Sequence, residues 1–115
     1  MNDLQSLRDQ LRQFAAEREW DQFHSPKNLA MALSVEASEL LEAFQWLTEE
    51  QSKALAPEVK AEVAAEAADV LLYLVRLCDK LDIDLPAEAH AKMRRNAEKY
   101  PVEKSRGNNT KYTKL

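Results

Sequence analysis

A chain of 115 residues with a single glycine, Gly107, has almost nothing from which to build the tight reversals that join β-strands. Four prolines add little, and no stretch alternates apolar and polar residues with the period of two that a half-buried strand requires. Ala, Leu, Glu, Lys and Gln are abundant instead, the residues that give up least on entering a helix. The chain is therefore expected to be all-α. Its length suits one domain with a modest core.

The apolar periodicity predicts four main helices. The first, about 3–18, carries Leu4, Leu7, Leu11 and Phe14 at alternating spacings of three and four. Ser25 before Pro26 is a hydroxyl N-cap followed by a proline in the first turn, and it opens a second helix that runs to about Leu47. Thr48 with Gln51 reads as the capping box of a short helical turn. Pro57 opens a third helix, ending near Leu81. Asp84 and Pro86 restart the chain for a fourth, which Pro101 stops near Tyr100. Residues 1–100 are thus read as one helical domain. Residues 101–115, with the glycine and a cluster of Lys and Arg, are read as a basic, solvated C-terminal tail.

Charge and cysteine content narrow the function. A net charge of −4 argues against a binder of nucleic-acid polymers. One cysteine, Cys78, excludes an intrachain disulfide and suits a reducing compartment. No apolar run reaches membrane-spanning length and the N-terminus has no signal-peptide pattern, so a cytoplasmic location without a membrane partner is expected.

The stretch SVEASELLEAFQW contains carboxylates where a core should be. Wound at about 100° per residue, Leu33, Ala37, Leu40, Phe44 and Leu47 form a stripe roughly 80° wide. Glu42 lies opposite it, as a charge should, whereas Glu36 and Glu39 sit on its shoulder, about 60° and 120° from Leu33. The third helix repeats the pattern. Its stripe is Val59, Val63, Ala67, Val70, Leu74, Leu77 and Leu81, with Glu66 roughly 40° and Asp69 roughly 100° from Val70. Pairing the two helices antiparallel brings E-x-x-E and E-x-x-D to one place. Clustered, partly buried carboxylates must either hold protons or surround a cation. With only oxygen ligands at this spacing a hard ion is favoured, Mg²⁺ before Mn²⁺ or Ca²⁺. A di-iron bundle would need Glu-x-x-His pairs, which are absent.

A carboxylate-bound Mg²⁺ usually keeps positions open for water and phosphate oxygens. KMRRNAEKY in the fourth helix offers Lys92 and Asn96, four apart on one face, as phosphate ligands. Trp46 projects about 20° from Glu39 around the second helix, so an indole shares a face with a metal ligand and is a stacking platform for a base.

On these residues the chain resembles the MazG-like all-α nucleoside triphosphate pyrophosphohydrolases. The stretches WDQFHSPKNLAMAL, ELLEAFQW, DVLLYLV, KMRRNAEKYPV and SRGNNTKYT are similar to their dCTP pyrophosphatase branch, over about Phe14 to Tyr112. The resemblance implies a MazG-like helical bundle completed by oligomerisation. It also implies a Mg²⁺-dependent hydrolase of nucleotide metabolism that cleaves between the α- and β-phosphates of dCTP. By position Glu36, Glu39, Glu66 and Asp69 are the implied metal ligands and catalytic residues, one glutamate also handling the attacking water. Lys92 and Asn96 match a phosphate-contacting pair. Trp20, His24, Trp46 and Tyr73 match positions around the nucleoside, with Asn28 a weaker match. Arg106 and Lys111 match no assigned role.

DVLLYLVRL is apolar nearly all round, and Leu71, Leu72 and Val75 project away from the helix-three stripe. A homo-oligomer, dimer or tetramer, is expected to cover them. Two alternatives stay open: a non-catalytic oligomeric helical adaptor whose acidic shoulder binds a basic partner, and the same enzyme acting on another pyrimidine or a modified nucleotide.

Overall fold

The computed structural model describes residues 2–115 and is all-α, with no strand among them. Six helices follow in order: α1 Asp3–Glu17, α2 Pro26–Glu42, α3 Glu49–Ser52, α4 Pro57–Lys80, α5 Leu85–Lys99 and α6 Val102–Ser105. Short 3-10 turns lie at Asp21–Phe23 and Tyr112–Lys114. No helix among the described residues is long and apolar enough to cross a membrane.

The helix starts are set by side chains. Ser25 Oγ accepts from the Asn28 amide at 3.1 Å ahead of Pro26, and Asp84 Oδ1 accepts from the Ala87 amide at 3.1 Å. Thr48 and Gln51 form the expected reciprocal box on α3. Asn2 and Gln5 form a second such box on α1, which the sequence reading did not identify. Two residues beyond the end of α1 and of α4 comes a residue with positive φ, Glu19 and Asp82, each at 55°. In each case the next amide reaches back to the carbonyl five residues earlier, Trp20 to Ala15 and Ile83 to Cys78, as in a Schellman cap.

The second helix is shorter than expected. It ends at Glu42, and residues 43–47 form turns in which the amides of Phe44 and Leu47 bond three residues back. The capping role of Thr48 explains this, because an N-cap needs extended backbone (ψ 164°) and the preceding helix must close before it.

The residues through Ile83 form one compact unit and Asp84–Leu115 a second. In the first, α4 is central and packs on both α2 and α1. Ala15, Leu29, Val75 and Cys78 are its buried apolar residues. The sequence reading left Leu71, Leu72 and Val75 to a partner subunit, and for Val75 it needs correction. Val75 is buried within the chain and Leu72 lines a cavity shared with α1, whereas Leu71 stays 38% exposed. Arg12 on α1 forks onto Asp79 of α4, with Nε donating at 2.8 Å.

In the second unit, the residues after α5 carry α6 and the closing 3-10 turn. Tyr112 sits edge-on to Tyr100 with ring centres 5.9 Å apart, and the Lys99 ammonium lies 4.9 Å from the Tyr112 ring centre.

Candidate metal and nucleotide site

The two acidic pairs are one helical turn apart within their own helices, so each presents its members on one side. Packing α2 against α4 then gathers Glu36, Glu39 and Glu66, with one oxygen of each within 4.8 Å of the others. Oε2 of Glu36 and Oε2 of Glu66 are buried without a hydrogen-bond partner. The Glu66 carboxyl beside it raises the pKa of Glu36 above the ordinary 4.5, and burial adds to the shift. Glu39 is raised in turn, chiefly by Glu36. These are the marks of a negative cluster that a cation would neutralise.

A hard divalent cation fits this donor set. Ligands about 2.1 Å from Mg²⁺ stand at most about 4.2 Å apart, so three oxygens within 4.8 Å need only draw in slightly. The orphaned buried oxygens are the atoms such an ion would satisfy. Asp69 lies outside this trio, although its charge also raises Glu36.

Asp69 instead borders a cavity of about 540 Å³ in the first unit, a volume ordinary for a small-molecule site. Leu7, Leu11 and Phe14 of α1 line one side, and Leu72, Tyr73 and Arg76 of α4 another. Trp20 and His24, from the segment between α1 and α2, join Gln10 of α1 and Leu29 of α2 in the rest of the lining. Trp20 stands edge-on to Phe14, with centres 5.6 Å apart, and at 6.4 Å from His24. Burial, with the Arg76 charge assisting, lowers the pKa of His24 below 6.5 and favours the neutral imidazole.

Of the residues expected around a nucleoside, the structure brings together Trp20, His24 and Tyr73, with Asp69 joining them to the acidic helix face. Trp46 is not among them. It lies beyond the end of α2, off the helical register that was to align it with Glu39, and is 87% exposed. Asn28 is engaged locally, its Nδ2 donating to the Phe23 carbonyl at 3.0 Å. Lys92 and Asn96 are exposed on α5, in the second unit. The sequence reading missed Arg76, buried and hydrogen-bonded to His24. Its signal was there, as the lone charge in the apolar run VLLYLVRL that follows Asp69. It also missed the part of α1, whose Leu11 and Phe14 were read only as core.

An all-helical chain with paired acidic motifs on two packed helices has counterparts among known proteins. The chain belongs to the MazG-like family, which it matches over residues 31–115. It is 46% identical over 114 residues to dCTP pyrophosphatase 1 of Mus musculus, covering 97% of this chain and 67% of the mouse protein. The identity to dCTP pyrophosphatase 1 of Homo sapiens is 41% over the same length, again 97% of this chain and 67% of the human protein. A crystal structure of a pyrophosphatase from Archaeoglobus fulgidus superposes with a TM-score of 0.82 at 41% identity, covering 88% of this chain and 94% of that one.

Proposed function

We propose that the chain is a nucleoside triphosphate pyrophosphohydrolase that uses Mg²⁺ to cleave dCTP between its α- and β-phosphates, giving dCMP and pyrophosphate in the cytoplasmic nucleotide pool. One observation carries the reading. Three carboxylates, two of them with an orphaned buried oxygen, converge on the α2–α4 face, and one turn along α4 from Glu66 the cavity lined by Asp69, Tyr73, Trp20 and His24 begins. The pyrophosphatase relatives support the reaction class, and the names of the mammalian ones support dCTP.

Glu36, Glu39 and Glu66 would hold the ion, with Asp69 as a further ligand. A bound Mg²⁺ supplies the charge neutralisation that attack on a triphosphate demands. One glutamate accepts the proton of the water that attacks the α-phosphorus, and the bridging oxygen leaves with pyrophosphate. Trp20 and Tyr73 give the nucleoside flat apolar surfaces, and a base stacks on such rings whatever its identity. Lys92 and Asn96 are assigned to the triphosphate on the strength of their K-x-x-x-N spacing. Among the described residues, fifteen large apolar side chains at least one-third exposed support a homo-oligomer.

The test is incubation with Mg²⁺ and dCTP, dTTP, dUTP, CTP and dATP, with product analysis. Monophosphate and pyrophosphate are expected, fastest from dCTP. Orthophosphate release, or no turnover of any triphosphate, would refute the reading.

A further inference from the structure

Arg76 is 5% exposed, the one buried charged residue among those described, and the carboxylate chemistry makes no use of it. Its guanidinium spreads over three partners. Nε donates to His24 Nδ1 at 3.1 Å, Nη2 donates to Asp21 Oδ1 at 2.7 Å, and Nη1 lies 3.6 Å from Asp79 Oδ2. Lys80 Nζ also donates to Asp21, at 2.8 Å, so two α4 side chains tie down the turn that leads to His24.

The donor chemistry of Arg76 decides the state of the histidine. Guanidinium has five N–H donors and no acceptor, so the atom facing Nε must present a lone pair. His24 Nδ1 is therefore unprotonated, and the single proton of the neutral ring sits on Nε2. That nitrogen meets no protein partner among the described residues, while the ring lines the cavity.

We propose that Arg76 is a positioning residue that locks His24 as its Nε2–H tautomer, so that the cavity offers a nucleobase a hydrogen-bond donor and no acceptor at this point. The base favoured is one whose edge carries only acceptors there. Cytosine presents N3 and O2, both acceptors, whereas N3 of uracil and thymine carries a hydrogen that would oppose the imidazole N–H. Without Arg76 the imidazole is free to move its proton to Nδ1, and Nε2 then tolerates an N3–H. This inference rests on the proposed nucleotide substrate, but its first readout does not.

That readout is long-range ¹H–¹⁵N correlation on the isolated protein at neutral pH. His24 and His90 are the only histidines, and His90→Gln assigns the pair. The expected result is an Nε2–H pattern for His24. An Nδ1–H or doubly protonated ring would overturn the proposal whether or not any nucleotide is hydrolysed. The second readout compares kcat/KM for dCTP and dUTP in the parent and in Arg76→Met. The discrimination should narrow by roughly tenfold, chiefly through KM, because an unpaired buried donor is what excluded uracil. Equal losses on both substrates would indicate a purely structural role and sink the proposal. If Arg76→Met does not fold, Arg76→Gln places an amide that can accept as well as donate, releases the tautomer and should narrow the same ratio. Absence of turnover in the parent, with the Nε2–H tautomer intact, would instead reject the proposed function.

Discussion

Oε2 of Glu36 on α2 and Oε2 of Glu66 on α4 are both buried and both lack a hydrogen-bond donor, although the two carboxylates converge. A native carboxyl whose pKa exceeds its unfolded value holds a proton that the unfolded chain releases, so stability declines as pH rises through that interval. For Glu36 and Glu39 the interval opens at 4.5 and extends upward. Asp21 and Asp79 are shifted down, by Lys80 and Arg12 respectively, and their contribution is lost only below 3.8. His24 is shifted down from 6.5 and so costs stability as pH falls below that value, opposing the glutamates. The metal separates these effects, because it neutralises the cluster and leaves His24 alone. The gain in melting temperature on adding Mg²⁺ should therefore grow as pH rises from 4.5. A gain that is constant with pH, in calorimetry with and without MgCl₂, would show that the ion binds elsewhere.

Charge removal gives the complementary result. Glu39→Gln should abolish most turnover while circular dichroism remains that of the parent. The metal-free variant should melt slightly above the metal-free parent, since one repulsive charge has left the cluster. Near-normal turnover of Glu39→Gln at limiting Mg²⁺ would exclude Glu39 as a ligand.

Asp79 joins two helices through one carboxylate. It accepts the Arg12 fork from α1 and lies 3.6 Å from Arg76 on its own helix. Asp79→Asn keeps the shape but removes the charge shared by two guanidinium groups, one of them buried. The Arg12 end is open to solvent and screened, so the loss should be about 1–2 kcal/mol, read as a lower urea midpoint at unchanged m-value. A midpoint equal to the parent's would mean that α1 is held by apolar packing alone.

Those contacts mark where sequence reasoning was strong and where it stopped. The starts of α2, α3, α4 and α5 were legible because each is written in adjacent residues, a cap or a proline in the first turn. The carboxylate trio was legible because a three-residue spacing places Glu36 and Glu39 on one shoulder. What failed depended on distant partners or on register. Val75 read as lacking a cover because the position of α1 is not encoded within α4. Trp46 read as a neighbour of Glu39 because helical register was extended through residues 43–47, which the cap at Thr48 breaks. Arg76 was passed over because its meaning lies in His24, 52 residues away.

The proposed assembly can be tested on the side chains that α2 leaves uncovered. Val35 and Leu41 on α2 are 55% and 61% exposed, and Trp46 just beyond it 87%. Side chains of this size on one segment are expected to meet a second copy. Light scattering should give a dimer or tetramer at micromolar concentration, and Leu41→Glu should shift it toward monomer and lower the melting temperature. A monomeric parent, or an assembly indifferent to Leu41→Glu, would remove this face from the interface.

The last prediction separates phosphate binding from base binding. Every nucleoside triphosphate carries the same phosphates, so Lys92→Ala should depress kcat/KM for dCTP, dTTP, dUTP, CTP and dATP by a similar factor. A charge-assisted contact of this kind is worth about 1.5–3 kcal/mol, or roughly ten- to a hundredfold. Trp20 borders the cavity and is half-buried against Phe14, so Trp20→Ala should cost about 1–3 kcal/mol in nucleoside binding, mainly through KM. Because a ring face does not choose among bases, that loss too should be shared by pyrimidines, leaving their ratio close to the parent's. Only disturbance of His24 should move the ratio itself. A Lys92→Ala effect confined to one base would overturn this division of labour. So would a Trp20→Ala variant that lowers kcat while leaving KM untouched.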